Sequence, residues 1–128
     1  MIIRSLKFSG IGPFKGEYAI DFDRLAADGL FLFDGPTGSG KSTLIDAVTF
    51  ALFGSVAGKD SSNTRIRSTH TDPTIESWVD LVFSVSSGTY RVRRSPSWMR
   101  LKRKAKKKFL SQITVFRMSV MRNQILRK

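Results

Sequence analysis

Leu30-Phe31-Leu32-Phe33-Asp34-Gly35-Pro36-Thr37-Gly38-Ser39-Gly40-Lys41-Ser42 is a short apolar run that passes straight into a glycine-rich stretch ending in Lys-Ser. Its last eight residues match G-x-x-x-x-G-K-[ST], the pattern of a loop that cradles phosphate groups. Each residue type in that pattern has a physical task. Gly35, Gly38 and Gly40 allow the backbone to take positive φ and to approach a phosphate closely. The successive backbone N–H groups of the loop can then point inward as an anion nest. A helix beginning near Lys41 directs the positive end of its dipole to the same place. Lys41 has the reach to bridge β- and γ-phosphates, and the Ser42 hydroxyl suits Mg²⁺. Gly35 to Ser42 is therefore read as a site for the phosphates of ATP or a close relative.

The flanks supply the context that the pattern requires. Leu30 to Phe33 is apolar throughout, which predicts a central strand covered on both faces. After the loop, Leu44, Ile45, Val48, Ala51 and Leu52 recur at three- and four-residue steps, the stripe of an amphipathic helix, and Gly54 is a natural stop. Farther out, Ile2, Leu6 and Phe8 predict a first strand. Tyr18, Ile20 and Phe22 alternate with Glu17, Ala19 and Asp21 and predict a second, antiparallel across the Gly10-Ile11-Gly12-Pro13 turn. Gly58 to Pro73 is polar and reads as a loop. Val79, Leu81, Phe83 and Val85, then Tyr90 and Val92, flank Ser86-Ser87-Gly88 and predict a hairpin. The expected fold class is α/β, a phosphate-binding lobe with an antiparallel β-hairpin component.

Charge divides the chain. Its net +12 is made up of a balance of −2 over residues 1–90 and +14 over residues 91–128, where no acid occurs. Lys102 to Lys108 is a run of cations broken only by Ala105, and beyond it the apolar residues fit neither a helix nor a strand. These features predict a lobe over 1–100 and a basic tail over 101–128. The tail reads either as disordered chain or as out-of-frame translation, because acids and periodicity vanish at the same place. With 128 residues and no cysteine, the chain has room for one modest core and no thiolate metal site. No leader pattern follows Arg4 and Lys7, and Ala47 to Ala57 is too short and too broken to cross a bilayer. A cytoplasmic protein without a membrane partner is expected.

ATP hydrolysis needs an acid at the end of a buried strand for Mg²⁺ and a group to orient water. Asp34 precedes the loop and reads as part of its entrance. Asp80 lies in an alternating, half-exposed run and is a weak candidate. From residue 81 onward there is no Asp or Glu. Nucleotide binding is thus written into the chain, whereas the second half of an ATPase site is not.

Ile11-Gly12-Pro13-Phe14, Ile20-Asp21-Phe22, Gly29-Leu30-Phe31, the loop Gly35 to Thr43, Leu44-Ile45-Asp46-Ala47 and Phe50-Ala51-Leu52-Phe53-Gly54 together resemble the start of SbcC. SbcC is the SMC-like ATPase subunit of a bacterial nuclease that processes DNA ends. Arg65-Ile66-Arg67-Ser68 and Tyr90-Arg91-Val92-Arg93-Arg94-Ser95-Pro96 are similar to that family as well, and the likeness runs to about residue 100. It implies an ABC/SMC-type head half whose P-loop, Gly35 to Thr43, holds ATP and Mg²⁺. It also implies a C-terminal half that completes the head, a second head in a homodimer, DNA, and an SbcD-type nuclease subunit as partners. The family's Q-loop, signature motif, Mg²⁺-binding aspartate and catalytic glutamate have no counterpart here, and Gln112 and Gln124 are not assigned to them.

Blander readings compete elsewhere. Arg91, Arg93 and Arg94 could meet DNA phosphates, but alternation makes a solvated strand face the preferred reading for Arg91 and Arg93. Trp78 and Trp98 read as packing residues, His70 as a loop residue, and Arg65 and Arg67 as weak candidates for approaching the nucleotide. Two function classes result: the ATP-binding N-terminal lobe of an SbcC-type repair protein, or a stand-alone nucleotide-binding module whose basic tail tethers it to nucleic acid.

Overall fold

Alternation of apolar and polar residues sets the sheet. The computed structural model describes residues 1–27, 30–56, 66–101 and 110–121. Among them, β1 (Ile2–Ile11), β2 (Phe14–Asp21), β3 (Trp78–Val85), β4 (Gly88–Leu101) and β5 (Leu110–Met121) form one antiparallel sheet in the order β2-β1-β3-β4-β5. Leu6 lies opposite Ile20 on one side and Leu81 on the other, and Phe8 opposite Tyr18 and Val79. One face of the sheet is therefore a continuous apolar floor. The predicted hairpin forms with Ser86 and Ser87 between the strands, and Leu81 pairs with Val92.

A helix lies on that floor. Helix α2 (Lys41–Phe53) buries Ala47, Phe50 and Ala51 against Leu6, Phe8, Ile11, Val79, Leu81 and Val92. The two alanines let the helix axis come close to the strands, and Phe50 fills the space between them. Gly54 ends α2 as its position predicts: it adopts a left-handed φ of 77°, and its N–H donates to the Phe50 carbonyl at 2.8 Å. A short helix, α1 (Phe22–Leu25), follows β2, with Asp21 Oδ1 accepting from the Arg24 N–H at 3.2 Å.

The opposite face of the sheet is polar and is organised around Asp80. This carboxylate is 3% exposed and accepts from Arg91 Nε at 2.9 and 3.1 Å and from Arg91 Nη2 at 2.6 Å. Arg93 Nη1 stands 3.7 Å away, and its guanidinium lies 4.0 Å from the Trp78 ring centroid. The Asp80 hydrogen bonds and charge raise the Arg91 pKa further above its already basic value.

Two sequence expectations require correction. Leu30–Phe33 is not a strand. Leu30 and Leu32 are 86% and 87% exposed, whereas Phe31 and Phe33 turn to Phe22 with ring centroids 5.6 and 6.4 Å apart. A run that is apolar on both faces becomes a central strand only if strands flank it and layers cover it. The described residues give it one cover, Phe22, and no strand pairs with it. The end of the chain also differs from expectation. Leu110–Met121, which shows no strand period in sequence, is β5 and pairs with β4 from Thr89↔Met121 to Leu101↔Leu110. The expected boundary near residue 100 thus falls inside a β-ladder. The lysine run Lys102 to Lys108 and Gln124 lie outside the described residues, as does Arg65.

Candidate nucleotide-binding site

The eight-residue pattern opens onto a cleft of about 380 Å³ lined by Pro13, Thr37, Gly38, Gly40, Lys41, Ser42 and Thr43. Three elements build it. Residues 35–40 supply the loop, the first turn of α2 supplies Lys41, Ser42 and Thr43, and the β1–β2 turn supplies a wall through Pro13. α2 has thirteen residues, so its N-terminal amides carry a full helix dipole toward the cleft.

Backbone conformation at two glycines fits the task. Gly38 has φ 85° and no atom within 4 Å of where a Cβ would stand, leaving its outer side open to a ligand. Gly40 has φ 93°, and a Cβ there would lie 2.5 Å from both Cε2 and Cζ of Phe14. The Phe14 ring is in turn held by Phe8 at 5.3 Å and Tyr18 at 4.9 Å. The close approach of the β1–β2 turn to the loop is thus possible only at a residue without a side chain.

Lys41 is the cation of the site. Its Nζ donates to the Gly35 carbonyl, to the Pro36 carbonyl at 2.9 Å and to Ser39 Oγ at 3.4 Å. The side chain therefore doubles back over its own loop, with its charge at the place where the pattern requires one. Asp34 Oδ1 accepts from the Gly35 N–H at 2.8 Å, in keeping with a role at the loop entrance. Ser42 is exposed at the cleft, and Thr43 packs beneath Gly12, whose Cβ would meet Thr43 Cγ2 at 2.5 Å. The set of one ammonium, converging amides, a helix N-terminus and two hydroxyls suits a polyphosphate and its Mg²⁺.

Other predicted candidates lie elsewhere. Asp80 belongs to the polar sheet face, neutralised by Arg91 and Arg93, and does not line the cleft. Arg67 donates to Ser77 Oγ at 2.6 Å and to the Asp72 carbonyl at 2.8 Å, and stacks 5.4 Å from the Trp98 centroid. It lines a separate hollow of about 370 Å³ with Ser68, Thr69, Thr71, Pro73, Ser97 and Trp98. Burial there lowers the Arg67 pKa, with Asp72 opposing the shift. Arg67 thus braces the turn after β1: the Ser68 N–H donates to the Gly10 carbonyl and the Gly12 N–H to the Ile66 carbonyl. Sequence reasoning missed Pro13 as a wall of the cleft and Phe14 as the ring that packs on Gly40. Their only signal was a Gly-Pro turn adjoining an aromatic residue.

A family of proteins described as AAA domain matches residues 5–127. The chain is 34% identical over 96 residues to the SbcC subunit of the nuclease SbcCD from Vibrio cholerae serotype O1, covering 73% of this chain and 10% of that protein. It is 40% identical over 91 residues to the SbcC subunit of the Treponema pallidum nuclease, covering 70% of this chain and 8% of that relative. A third SbcC relative, from Clostridium acetobutylicum, is 44% identical over 57 residues, covering 44% of this chain and 5% of the relative. The chain thus spans about a tenth or less of the length of these relatives.

Proposed function

The chain belongs to the AAA domain family and is of the SbcC type, and from this premise we propose that it is the ATP-binding N-terminal lobe of an SbcC-type nuclease subunit, with Gly35 to Thr43 as its P-loop. The observation that carries the site is Lys41 Nζ folded onto the Gly35 and Pro36 carbonyls at the mouth of a cleft walled by the first turn of α2. Lys41, the amides of Gly38 to Ser42 and the Ser42 hydroxyl are the groups that would hold the phosphates of ATP and its Mg²⁺. When bound, ATP supplies a polyphosphate whose terminal anhydride bond stores the energy of the family's reaction. The residues of this chain hold and orient that polyphosphate. An acid for Mg²⁺ activation and a group to position water are to come from other parts of the assembly.

The resemblance extends the proposal to partners. A C-terminal half would complete an ABC/SMC-type P-loop head, a second head would face the first, and an SbcD-type subunit would perform nuclease chemistry on DNA in the cytoplasm. The apolar side of Leu30 and Leu32 supports a missing neighbour at that edge. Titration of the purified chain with Mg·ATP tests the core of the reading. Saturable binding that Lys41→Ala abolishes is expected, with negligible steady-state turnover. Equal binding by Lys41→Ala and the parent would sink the phosphate-site assignment, and brisk turnover by the chain alone would sink the half-site reading.

A further inference from the structure

The N-terminal end of α2 carries the phosphate site, so whatever fixes the other end of the helix also fixes the site. That other end is held from β4. Arg94 Nε donates to the carbonyl of Ala51, in the last turn of α2, at 3.2 Å. The Arg94 guanidinium carbon lies 6.0 Å from the Phe50 ring centroid. Gly54, the left-handed residue that closes α2, completes the seat: a Cβ there would come within 2.7 Å of Arg94 Nη1. A cation at a helix C-terminus meets the negative end of the dipole, where last-turn carbonyls lack intrahelical donors.

We infer that Arg94 is a positioning residue for the phosphate site, acting along α2 from the end opposite to it. This inference rests on the P-loop reading above. Ala51 lies ten residues after Lys41, about 15 Å along a helix at 1.5 Å per residue. Arg94 therefore never touches a ligand in the cleft. The residues that α2 buries fully are two alanines and one phenylalanine, while Leu44, Val48 and Leu52 pack against the core only in part. With two of its three most deeply buried residues small, α2 gains only modest interlocking from its deepest contacts against sliding or rolling on the floor beneath it. Its N-terminal end meets the β1–β2 turn, with Thr43 beneath Gly12 and Gly40 beneath Phe14, and packs Leu44 against the core. Arg94 supplies the directional restraint at the far end. It projects from β4 at the position paired with Val79 of β3 and Phe116 of β5, so it is anchored in the sheet interior rather than at an edge. Burial lowers its pKa, the sign of a guanidinium partly withdrawn from water. The apolar-face position of an arginine in β4 is otherwise a costly choice, because Tyr90 and Val92 occupy the equivalent positions on the same strand.

The test is a set of Mg·ATP titrations of the full chain, each at a temperature where circular dichroism shows the variant folded, combined with hydrogen exchange of the Lys41, Ser42 and Thr43 amides. Arg94→Gln is expected to raise Kd about fivefold, the lower end of site-to-site couplings, and to speed exchange at those amides. Arg94→Lys should fall between the parent and Arg94→Gln, since it restores the charge without the planar fork. Gly54→Ala, which displaces the guanidinium while leaving it in the chain, should move Kd in the same direction. If Arg94→Gln does not fold, Arg94→Lys and Gly54→Ala carry the same expectations. Folded Arg94 and Gly54 variants that bind with the parent Kd, while Lys41→Ala fails to bind, would overturn this inference alone. Lys41→Ala binding as the parent does would overturn the P-loop reading and this inference with it.

Discussion

Replacing Gly40 and Gly38 by alanine separates two demands that the loop makes on its glycines. Both have left-handed φ, 93° and 85°, so each alanine incurs the αL penalty of about 1–2 kcal/mol. Part of that is offset because alanine restricts the unfolded chain, by about 0.4–1 kcal/mol. For Gly38→Ala nothing else is added, since no atom lies within 4 Å of the new methyl. A net loss of about 1 kcal/mol is expected. For Gly40→Ala the methyl would sit 2.5 Å from two carbons of the Phe14 ring, and Phe8, packed edge-on at 5.3 Å, and Tyr18, tilted at 4.9 Å, limit how far that ring can give way. Overpacking of this kind adds about 1–3 kcal/mol, for a total of about 2–4 kcal/mol. Urea unfolding followed by circular dichroism measures the difference. With an m-value of about 2 kcal/mol/M, the Gly40→Ala midpoint should fall by about 1 M or more, and the Gly38→Ala midpoint by about half as much. Binding should show the reverse contrast per unit of stability lost, because Gly38 lines the cleft and a methyl there would stand on its open side. A double variant with Phe14→Leu should recover part of the Gly40→Ala loss. Equal midpoints for the two single variants would refute the argument that Phe14 is what Gly40 must accommodate.

Asp80→Asn should destabilise the sheet by about 1–2 kcal/mol in thermal or urea unfolding, since it removes the carboxylate that three Arg91 hydrogen bonds and Arg93 converge on, while the half-exposed Arg91 limits the loss. An unchanged midpoint would mean that the arginines find equal partners in water. The Asp72 carboxylate accepts from the Thr74 N–H at 2.7 Å and the Thr74 hydroxyl at 2.6 Å, and these bonds, the hydroxyl first, hold its pKa below the usual aspartate value. A folded pKa below the unfolded one means that the contribution is present above the unfolded value and lost as pH falls through the folded one. Thr74→Val should therefore move the Asp72 midpoint upward in a carboxylate NMR titration, and a fixed midpoint would contradict the assignment.

Features written in local chemistry were legible in the sequence. The spacing of Gly35, Gly38, Gly40 and Lys41 placed the loop, and Ser86 with Ser87 placed the hairpin turn. The stripe from Leu44 to Leu52 placed α2 but not all of its buried face, since Ile45 is exposed while Ala47 and Phe50, outside that stripe, lie in the core. Features that depend on what lies alongside were not. Leu30–Phe33 carries the composition of a central strand, yet a strand exists only with partners, and composition cannot report them. Asp80 looked like a half-exposed acid because alternation puts it on the polar face. Its burial comes from Arg91 and Arg93 on the next strand. β5 lacks a period-2 signal, but β4 offers it a long ladder of backbone partners. The seat of Arg94 on α2 joins residues far apart in the chain, so no window of sequence contains it.

The pairing of β1 with β3 has a consequence for how the molecule assembles. Leu6 meets Leu81 and Phe8 meets Val79, partners separated by more than half the chain, and the whole loop with its helix lies between them. Closing so large a ring comes late, because its entropy is lost before any contact rewards it. α2 has only part of its apolar floor until that ring has closed, because Leu6, Phe8 and Ile11 come from one hairpin and Val79, Leu81 and Val92 from the other. The phosphate cleft is therefore expected to mature among the last steps of folding. Nucleotide added to the unfolded chain should leave the folding rate unchanged and should slow only unfolding.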